Sequence, residues 1–270
     1  MSKPHRPERT DLPRVEIVES VYAEWFANLS GIPGLEIHCD PDITWRVEPL
    51  GSAWDNCAVR ARLSPQNAGQ RLDEVLTRYR KNGRGAGFWV GPSAEPSILE
   101  SLLKARGLRC RKYFPAMYCD PRTLPPDPQT QIPLRFSIVT DYTVFRQHAH
   151  PYLGRISTAI RRFRLERQQY LASRSPRKSW EFVALFGSVP VGICTLFVGT
   201  RCAGLFDVGV LESMRKQGIG CSLVLHSCRF AQEQGAEGIV LISTNMGNRV
   251  YERVGFRVVS KIGFWYSANP

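Results

Sequence analysis

The stretch Arg215-Lys216-Gln217-Gly218-Ile219-Gly220 lies between an apolar, strand-like segment ending at Leu211 and a helical pattern that begins near Ser222. Glycine allows the backbone to approach a ligand closely, because it has no side chain. The N–H groups at the start of a helix have no partner within the helix and form a site for anions. A strand, an arginine, two glycines and a helix in this order therefore predict a cradle for a pyrophosphate group.

The composition of the chain is typical of a well-packed protein that does not cross a membrane. Its 270 residues are 43% hydrophobic and 10% aromatic, which suits one large domain or two of ordinary size. No run reaches the ~20 apolar residues that span a bilayer. Residues 1–14 are polar and basic and lack the apolar core of a secretion signal. We expect a flexible tail there, no membrane partner and a cytoplasmic location.

The cysteines and histidines do not indicate a metal site or a disulfide. The eight cysteines are scattered without C-x-x-C spacing, and the five histidines form no zinc-binding pattern. Scattered cysteines of this kind are typical of buried, reduced thiols. The sequence therefore predicts no metal cofactor.

The positive charge of the chain is concentrated in one segment. Lys and Arg number 36 against 24 Asp and Glu, which gives a formal net charge of +12. Residues 151–180 alone contain eight of these cations and a single carboxylate, Glu166. Such clustering favours an acidic partner, with a solvated basic helix and a flexible loop as the alternative.

A proline-rich, polar segment divides the chain. Proline interrupts helices and central strands, so residues 123–133 cannot continue either one. We therefore predict a flexible basic tail at 1–14, a first domain at 15–122, a linker at 123–133 and a second domain at 134–270.

The second domain alternates between strand and helix patterns. Alternating or continuous apolar runs predict strands, and apolar positions spaced by about 3.6 residues predict helices. The predicted strands are 134–140, 181–186, 191–198, 203–211, 238–243 and 256–266, and the predicted helices are 141–149, 156–172, 222–234 and 248–254. This order implies a mainly antiparallel first sheet followed by a parallel crossover.

The first domain is a vaguer copy of the second. Helices are predicted at 16–28, 67–81 and 96–107, and strands at 44–47, 58–62, 87–90 and 111–118. No run comparable to residues 215–220 occurs there. The predicted fold class is α/β (an α+β mixed sheet), with two tandem domains, each a mixed, mostly antiparallel sheet flanked by helices.

Two motifs of the second domain resemble those of the GNAT N-acetyltransferase superfamily. That family carries R/Q-x-x-G-x-G/A at the turn from its fourth strand into its third helix, matched here by Arg215, Gly218 and Gly220. An asparagine-containing turn into Y-x-x-x-G-F follows about 30 residues later, at Asn245, Asn248, Tyr251, Gly255 and Phe256. The resemblance covers about residues 130–270. It implies tandem GNAT domains, of which the first, lacking the glycine loop, is degenerate and binds no CoA.

The resemblance implies an acyl-CoA, most simply acetyl-CoA, as the donor substrate. The N–H groups of the glycine loop would hold its pyrophosphate with help from Arg215. A splayed strand would lay free amides along the pantetheine arm, and one of them would bind the thioester oxygen as it gains charge. For Asn248, capping of a helix is an equally good reading. The expected donor contacts are Val208, Val210, Arg215, Gln217, Gly218, Ile219, Gly220, Asn245 and Asn248.

The resemblance also implies direct attack by the acceptor amine in a ternary complex. Tyr251 would protonate the departing thiolate, and its alternative role is an aromatic plug between helix and sheet. Asp207 would take the proton of the amine, directly or through a water molecule. Its alternative role is that of a strand-end residue that bonds backbone or faces solvent. Glu212 is a second candidate for the base.

The amino-acid sequence leaves three functions open. The first is N-acyl transfer from acyl-CoA to a small amine acceptor that is acidic or carries phosphate. The second is a GNAT-fold transferase that depends on aminoacyl-tRNA, and the third is a non-catalytic CoA- or nucleic-acid-binding module. Because the first helices of the family line the acceptor site, the candidate contacts to the acceptor or to tRNA are Arg155, Arg161, Arg162 and Arg164. Either a monomer or a homodimer is compatible with tandem domains.

Overall fold

A computed structural model of the chain describes residues 12–48, 50, 52–81, 83, 85–128, 130–141 and 158–267. The chain forms two compact units. The first spans Met1–Met117, Ile242–Asn245 and Val258–Pro270, and the second spans Tyr118–Leu241 and Met246–Arg257. The proline-rich segment 123–133 therefore lies in the second unit, and all but the first residue of the last strand lies in the first.

The first unit is a mixed sheet with helices, as the sequence predicts. Its elements within the described residues are α1 (Leu12–Asn28), β1 (Glu36–Cys39), β2 (Thr44–Val47), β3 (Cys57–Val59), α2 (Ala68–Lys81), β4 (Gly87–Val90), α3 (Leu99–Ala105), β5 (Arg109–Cys119) and β11 (Arg257–Tyr266). The strand order is β1-β2-β3-β4-β11-β5. The pairs β1–β2, β2–β3 and β4–β11 are antiparallel, and β3–β4 is parallel.

The core of the first unit forms where α2 and α3 pack on this sheet. Leu72 and Tyr79 of α2 and Leu103 of α3 are buried together with Trp45 and Phe88 of the strands. Trp45 meets Tyr79 edge-on, with ring centroids 5.7 Å apart. The sequence did not predict β1, because its four residues, Glu-Ile-His-Cys, include only one strong strand former.

The second unit contains the glycine loop of residues 215–220. Its elements within the described residues are β6 (Arg135–Ile138), α4 (Thr158–Ala172), β7 (Ser179–Phe186), β8 (Val189–Val198), β9 (Cys202–Val210), α5 (Ile219–Glu233), β10 (Gly238–Ile242), α6 (Asn248–Val254) and two 3-10 turns, Pro121–Thr123 and Glu212–Met214. The strand order is β10-β9-β8-β7-β6. Neighbours are antiparallel except β9 and β10, which are parallel. The predicted antiparallel sheet followed by a parallel crossover is confirmed.

Successive residues of β7 point to opposite faces of this sheet, and a different helix covers each face. Phe182 is fully buried and packs edge-on against Phe230 of α5, with ring centroids 5.2 Å apart. Its neighbour Val183 belongs to a buried cluster with Leu165 of α4 and Ile193 of β8. α5 and α4 therefore lie on opposite faces of the sheet.

One helix of the second unit, α5, differs from its predicted bounds, by three residues at its start and by one at its end. α5 begins at Ile219 rather than at residue 222, because Gly218 takes a left-handed conformation (φ 84°) and starts the helix. The described part of α4 lies inside the predicted helix 156–172. The helix predicted at 141–149 falls on residues 142–149, which lie outside the described residues. α6 has the predicted bounds.

We predict that Phe182→Ala lowers the free energy of unfolding by about 3–5 kcal/mol, because it leaves a cavity between β7 and α5. Chemical denaturation measures the effect. Val189→Ala is the matched control: Val189 is 53% exposed at the start of β8, so its loss should change stability by no more than about 0.5 kcal/mol. Equal losses in both variants would contradict the packing described here.

Candidate active site

Strand β9 leaves its parallel neighbour part of the way along its length. The register between β9 and β10 runs from Cys202 opposite Gly238 to Gly204 opposite Val240. Beyond Gly204, within the described residues, β9 continues to pair with β8 alone, as far as Val210. Beyond Gly204, the edge of β9 that faces away from β8 is therefore no longer paired with β10, and we call this part of the strand opened. The sequence predicts a splayed strand in the same segment.

A β-bulge lies in this opened segment. One residue of β8, Cys194, lies opposite two residues of β9, Asp207 and Val208. Asp207 is exposed and has a φ of 50°, in the left-handed region, which Asp tolerates better than most residues. Bulges turn a strand and re-aim its side chains, and they are common beside active sites. Asp207, the predicted base, therefore lies in the same β-bulge as Val208, whose amide is a candidate to bind the oxyanion.

The loop that precedes α5 turns its backbone N–H groups toward one another. Lys216 and Gly218, on either side of Gln217, have positive φ values of 65° and 84°. Such a turn creates a concave set of amides that suits an anion. The loop is fixed because the Gln217 carbonyl accepts a hydrogen bond from the Gln131 N–H at 3.3 Å. The macrodipole of the 15-residue helix α5 adds positive potential at this end.

Packing anchors the first turn of α5 to the sheet. Ile219 is 1% exposed, and a Cβ placed on Gly192 of β8 would lie 3.3 Å from it, so helix and strand are in close contact. A Cβ on Gly220 would lie 3.5 Å from Val250 and 3.7 Å from Val210 of β9. The glycine-loop amides are therefore held beside the opened end of β9.

Arg215 lies at the mouth of this loop. Its Nε donates to the Val210 carbonyl at 3.4 Å, and its guanidinium lies 3.7 Å from Glu212. Its side chain is 45% exposed, so part of the guanidinium faces solvent. Glu212 is itself almost fully exposed, which favours the solvated role over the role of a base.

Tyr251 of α6 and Cys194, the residue opposite the bulge, both have raised pKa values. Tyr251 is half-buried, and the centroid of its ring lies 5.9 Å from that of Phe256. Burial, with a smaller effect of Cys194, raises the pKa of the Tyr251 phenol above its ordinary value. Burial raises the pKa of the Cys194 thiol to about 12, and the charge of Asp207 contributes to this shift. The pKa of Tyr251 and that of Cys194 are thus both raised mainly by burial.

The two asparagines of the second motif have different surroundings. Gly247, rather than Asn248, is the N-cap of α6, so the capping role does not apply to Asn248. The Oδ1 atom of Asn248 is buried and has no hydrogen-bond partner among the described residues. A buried unsatisfied acceptor is unfavourable unless a ligand or water supplies a donor. Asn245 is exposed and belongs to the first unit.

The candidate acceptor arginines are only partly described. Arg155 lies outside the described residues, and of Arg161 only the backbone, in α4, is described. Arg162 is exposed and its Nε donates to Glu166 at 2.7 Å. Arg164 is half-buried.

One buried acid, Glu181 of β7, was missed by the sequence reasoning. It is 4% exposed, and its Oε1 accepts a hydrogen bond of 2.7 Å from the Thr195 hydroxyl of β8. Burial raises its pKa from 4.5 to about 8, and the charge of Asp207 adds to the rise. Thr195 and the arginines 167 and 177 act in the opposite direction. A charged residue within an otherwise apolar run, Trp-Glu-Phe-Val-Ala-Leu-Phe, is the signal that could have revealed it.

The described residues show neither a metal site nor a disulfide. All eight cysteines are free thiols. No group of three or more His, Cys, Asp or Glu side chains in the described ranges is arranged to hold a metal ion. No helix of the same ranges combines the length and apolar composition of a membrane span.

Comparison with known proteins agrees with this geometry. The model of the acetyltransferase (GNAT) family matches residues 144–256, which include the bulge, the glycine loop and Tyr251. No curated protein matches the chain.

Several solved structures share the fold. A GCN5-related N-acetyltransferase from Kribbella flavida is 16% identical with a TM-score of 0.70, and the match covers 93% of this chain and 95% of that one. A GCN5-related N-acetyltransferase from Sphaerobacter thermophilus is 14% identical with a TM-score of 0.61, over 97% and 96% of the two chains. A tandem GNAT protein from the clavulanic acid biosynthesis pathway is 14% identical with a TM-score of 0.59, over 95% and 96%. Residues 144–256 thus match the model of the GNAT acetyltransferase family, in a chain whose fold is similar to that of GNAT N-acetyltransferases, tandem proteins included.

Proposed function

We propose that the second unit is an acyl-CoA-dependent N-acyltransferase, most simply an N-acetyltransferase, that modifies an amine of a small acceptor. One observation carries this proposal: β9 leaves β10 beside the N-terminus of α5, where Gly220 lies against Val210. A thioester in that opening would meet backbone amides, and an anionic group attached to it would meet the helix. An acyl-CoA molecule has both parts, a thioester arm and a pyrophosphate.

Backbone groups would provide most of the donor site. The N–H groups of residues 217–220 would hold the pyrophosphate, and the exposed part of Arg215 would add a charge-assisted hydrogen bond. The amides of Val208 and Val210 lie along the opened edge of β9, where a pantetheine arm could pair with them. The buried Oδ1 of Asn248 could accept from an amide N–H of the same arm. Acyl-CoA would supply the activated acyl group.

Asp207 and Tyr251 would move two protons. Asp207 would accept one from the ammonium group of the acceptor, which leaves the nitrogen lone pair free to form the C–N bond. An amide at the bulge would stabilise the oxyanion. As the C–S bond breaks, Tyr251 would give its proton to sulfur and regain one from the nitrogen. The raised pKa of Tyr251 means that this proton is present at neutral pH.

The basic residues of α4 support an acidic or phosphate-bearing acceptor. Arg162 is exposed, with its Nε bonded to Glu166, and its other guanidinium N–H groups could reach an anionic ligand. A guanidinium binds carboxylate and phosphate groups through paired hydrogen bonds. Arg155 and Arg161 remain candidates from the sequence.

The alternative donor is an aminoacyl-tRNA, bound through the basic segment 155–178. Binding of a nucleic-acid backbone requires several exposed cations at once. Within the described residues Arg167 is 6% exposed, and Arg177 donates its Nε to the Ser179 carbonyl at 2.7 Å. The segment thus offers fewer exposed cations than its sequence suggests, which favours acyl-CoA. A non-catalytic module would leave Asp207 and Tyr251 without a role.

We predict that Gly218→Glu weakens acetyl-CoA binding by about tenfold or more, because it places an anion in the pyrophosphate site. Isothermal titration calorimetry measures the dissociation constant. Gly235→Glu is the matched control, since Gly235 also has a φ of 84° but follows the other end of α5 in open space. It should bind like the wild type. Absence of acetyl-CoA binding to the wild type, with salt-dependent binding of tRNA, would overturn the proposal in favour of the alternative.

We predict that Tyr251→Phe lowers kcat by about a hundredfold or more, while the dissociation constant for acetyl-CoA stays unchanged. Thiol release from acetyl-CoA measures the rate with a panel of amines: an acidic amino acid, an amino-sugar phosphate, a polyamine and a lysine peptide. Tyr118→Phe removes a hydroxyl elsewhere in the same unit and should keep the wild-type rate. An unchanged kcat in Tyr251→Phe would assign Tyr251 to packing alone.

A further inference from the structure

A β-bulge also lies in the first unit, just after the end of β3. Val59 lies opposite Thr44 of β2. Three residues after Val59, the Arg62 N–H donates at 2.6 Å to the carbonyl of Asp42, which is only two residues before Thr44. Arg60 takes up the extra length with a φ of 53°, in the left-handed region. Arginine is unfavourable there, because its Cβ crowds the neighbouring carbonyl.

Arg60 has the same place in the first unit that Asp207 has in the second. Both are left-handed residues, with φ values of 53° and 50°, in a strand that leads into a helix and then a parallel strand. These elements are β3, α2 and β4 in the first unit and β9, α5 and β10 in the second. Backbone strain of this kind is concentrated at ligand-binding and active sites. The surroundings of Arg60 are therefore a candidate binding site, with a cation where the second unit has a carboxylate.

A cavity of about 350 Å³ lies beside Arg60, between α1 and the hairpin that β1 and β2 form. Pockets for small molecules have volumes of about 300 Å³ or more. All the residues that line the cavity belong to the first unit. Its polar and charged lining consists of Ser20, Glu24, Cys39, Asp40, Thr44 and Arg60.

The guanidinium of Arg60 has no partner within the part of the chain that the structure describes. It takes part there in no hydrogen bond, ion pair or contact with an aromatic ring. The side chain is half-buried, so its charge is partly removed from water. A guanidinium in such a place favours a carboxylate group, because paired hydrogen bonds replace the lost hydration.

Asp40 supplies the opposite charge in the same cavity. Its Oδ2 atom accepts a hydrogen bond of 3.2 Å from the Trp45 indole N–H and another from Arg71, and these contacts hold the carboxylate in place. Its Oδ1 atom accepts none from the described residues, and the side chain is 34% exposed. Among the same residues, Arg60 and Asp40 form no ion pair with each other. The cavity therefore presents a guanidinium and a carboxylate oxygen that one ligand can join.

We propose that this cavity binds a small zwitterion of the size of an amino acid, whose carboxylate is held by Arg60 and whose ammonium group is held by Asp40. A ligand with only a negative charge would meet the carboxylates of Asp40 and Glu24, and a ligand with only a positive charge would meet Arg60. A molecule that carries both charges satisfies both walls. The inference concerns the first unit alone and does not depend on acyl transfer by the second.

The first test separates a role of Arg60 in binding from a role in the fold. Asparagine and glycine tolerate the left-handed region better than arginine does. We therefore expect Arg60→Asn and Arg60→Gly to unfold at the wild-type temperature or above it, as measured by circular dichroism. A lower unfolding temperature in both variants would assign Arg60 to the fold and overturn the inference.

The second test measures binding to the full chain. In protein labelled with nitrogen-15 arginine, NMR follows the Nε–H signal of Arg60, which is identified by its absence in Arg60→Asn. The probes are the standard amino acids, added singly, with acetate and methylammonium as ligands of one charge. We expect at least one amino acid to saturate the shift at about 10 mM or less, and acetate and methylammonium to bind at least about tenfold more weakly. No shift with any amino acid, or equal affinity for acetate, would overturn the inference.

The contact with the ammonium group has its own variant. Asp40→Asn keeps the shape of the side chain and removes its charge, so it should weaken binding of the same amino acid by about tenfold or more. Asp73→Asn is the matched control in the first unit, at a side chain that is 57% exposed and paired with Arg106. It should bind like the wild type. Wild-type affinity in Asp40→Asn would show that the ligand is not held as a zwitterion.

Cys39 gives an independent measure of occupancy. All eight cysteines lie in the described residues, and Cys39, which lines the cavity, is the exposed one. Its alkylation by iodoacetamide, followed by peptide mass spectrometry, should slow when the bound amino acid is present, while alkylation of the half-buried Cys110 stays constant. Arg60→Asn should remove this protection, whereas Arg109→Gln, a change at an exposed arginine of β5, should keep it. Protection that persists in Arg60→Asn would contradict the proposed site.

Discussion

The second unit depends on one constraint: β9 must stay paired with β8 while it separates from β10. The bulge meets this constraint, because two residues, Asp207 and Val208, occupy the space opposite Cys194 and turn the strand. β8 also carries α5, through the contact between Gly192 and Ile219. The strand that opens the sheet and the strand that positions the helix are therefore neighbours. The pairing of β8 with β9 therefore sets the positions of two groups of backbone amides: those proposed to bind the thioester and those proposed to bind the pyrophosphate.

Burial and charge in this unit follow from the position of α4. The helix covers the face of the sheet on which Glu181 lies, and it brings Arg167 into the interior with it. Arg167, which belongs to the basic segment 155–178, is thus buried near an acid of the interior and does not form part of a surface for an acidic partner. Burial raises the pKa of Glu181, whereas the Thr195 hydroxyl, Arg167 and Arg177 oppose that rise.

Local sequence patterns predicted most of the elements, and the donor contacts that they indicate stay a prediction. Residues 87–90 and 248–254 have the predicted bounds, because turn residues delimit both segments. The start of α5 was placed too late, since Gly218 begins the helix from a left-handed conformation that a pattern of apolar residues does not reveal. Glu181 was missed for a different reason. Its burial arises from α4 and Thr195, which are distant in sequence, so its pKa is a tertiary property.

The central claim is that the amides of the glycine loop and of the bulge bind one CoA molecule. Backbone amide NMR of the chain labelled with nitrogen-15, with CoA added stepwise, tests this claim most directly. The account predicts that the largest shifts occur together at Gly218, Ile219, Gly220 and Val208, and that they saturate with one dissociation constant. Saturable shifts confined to the first unit, with these four amides unmoved, would contradict it.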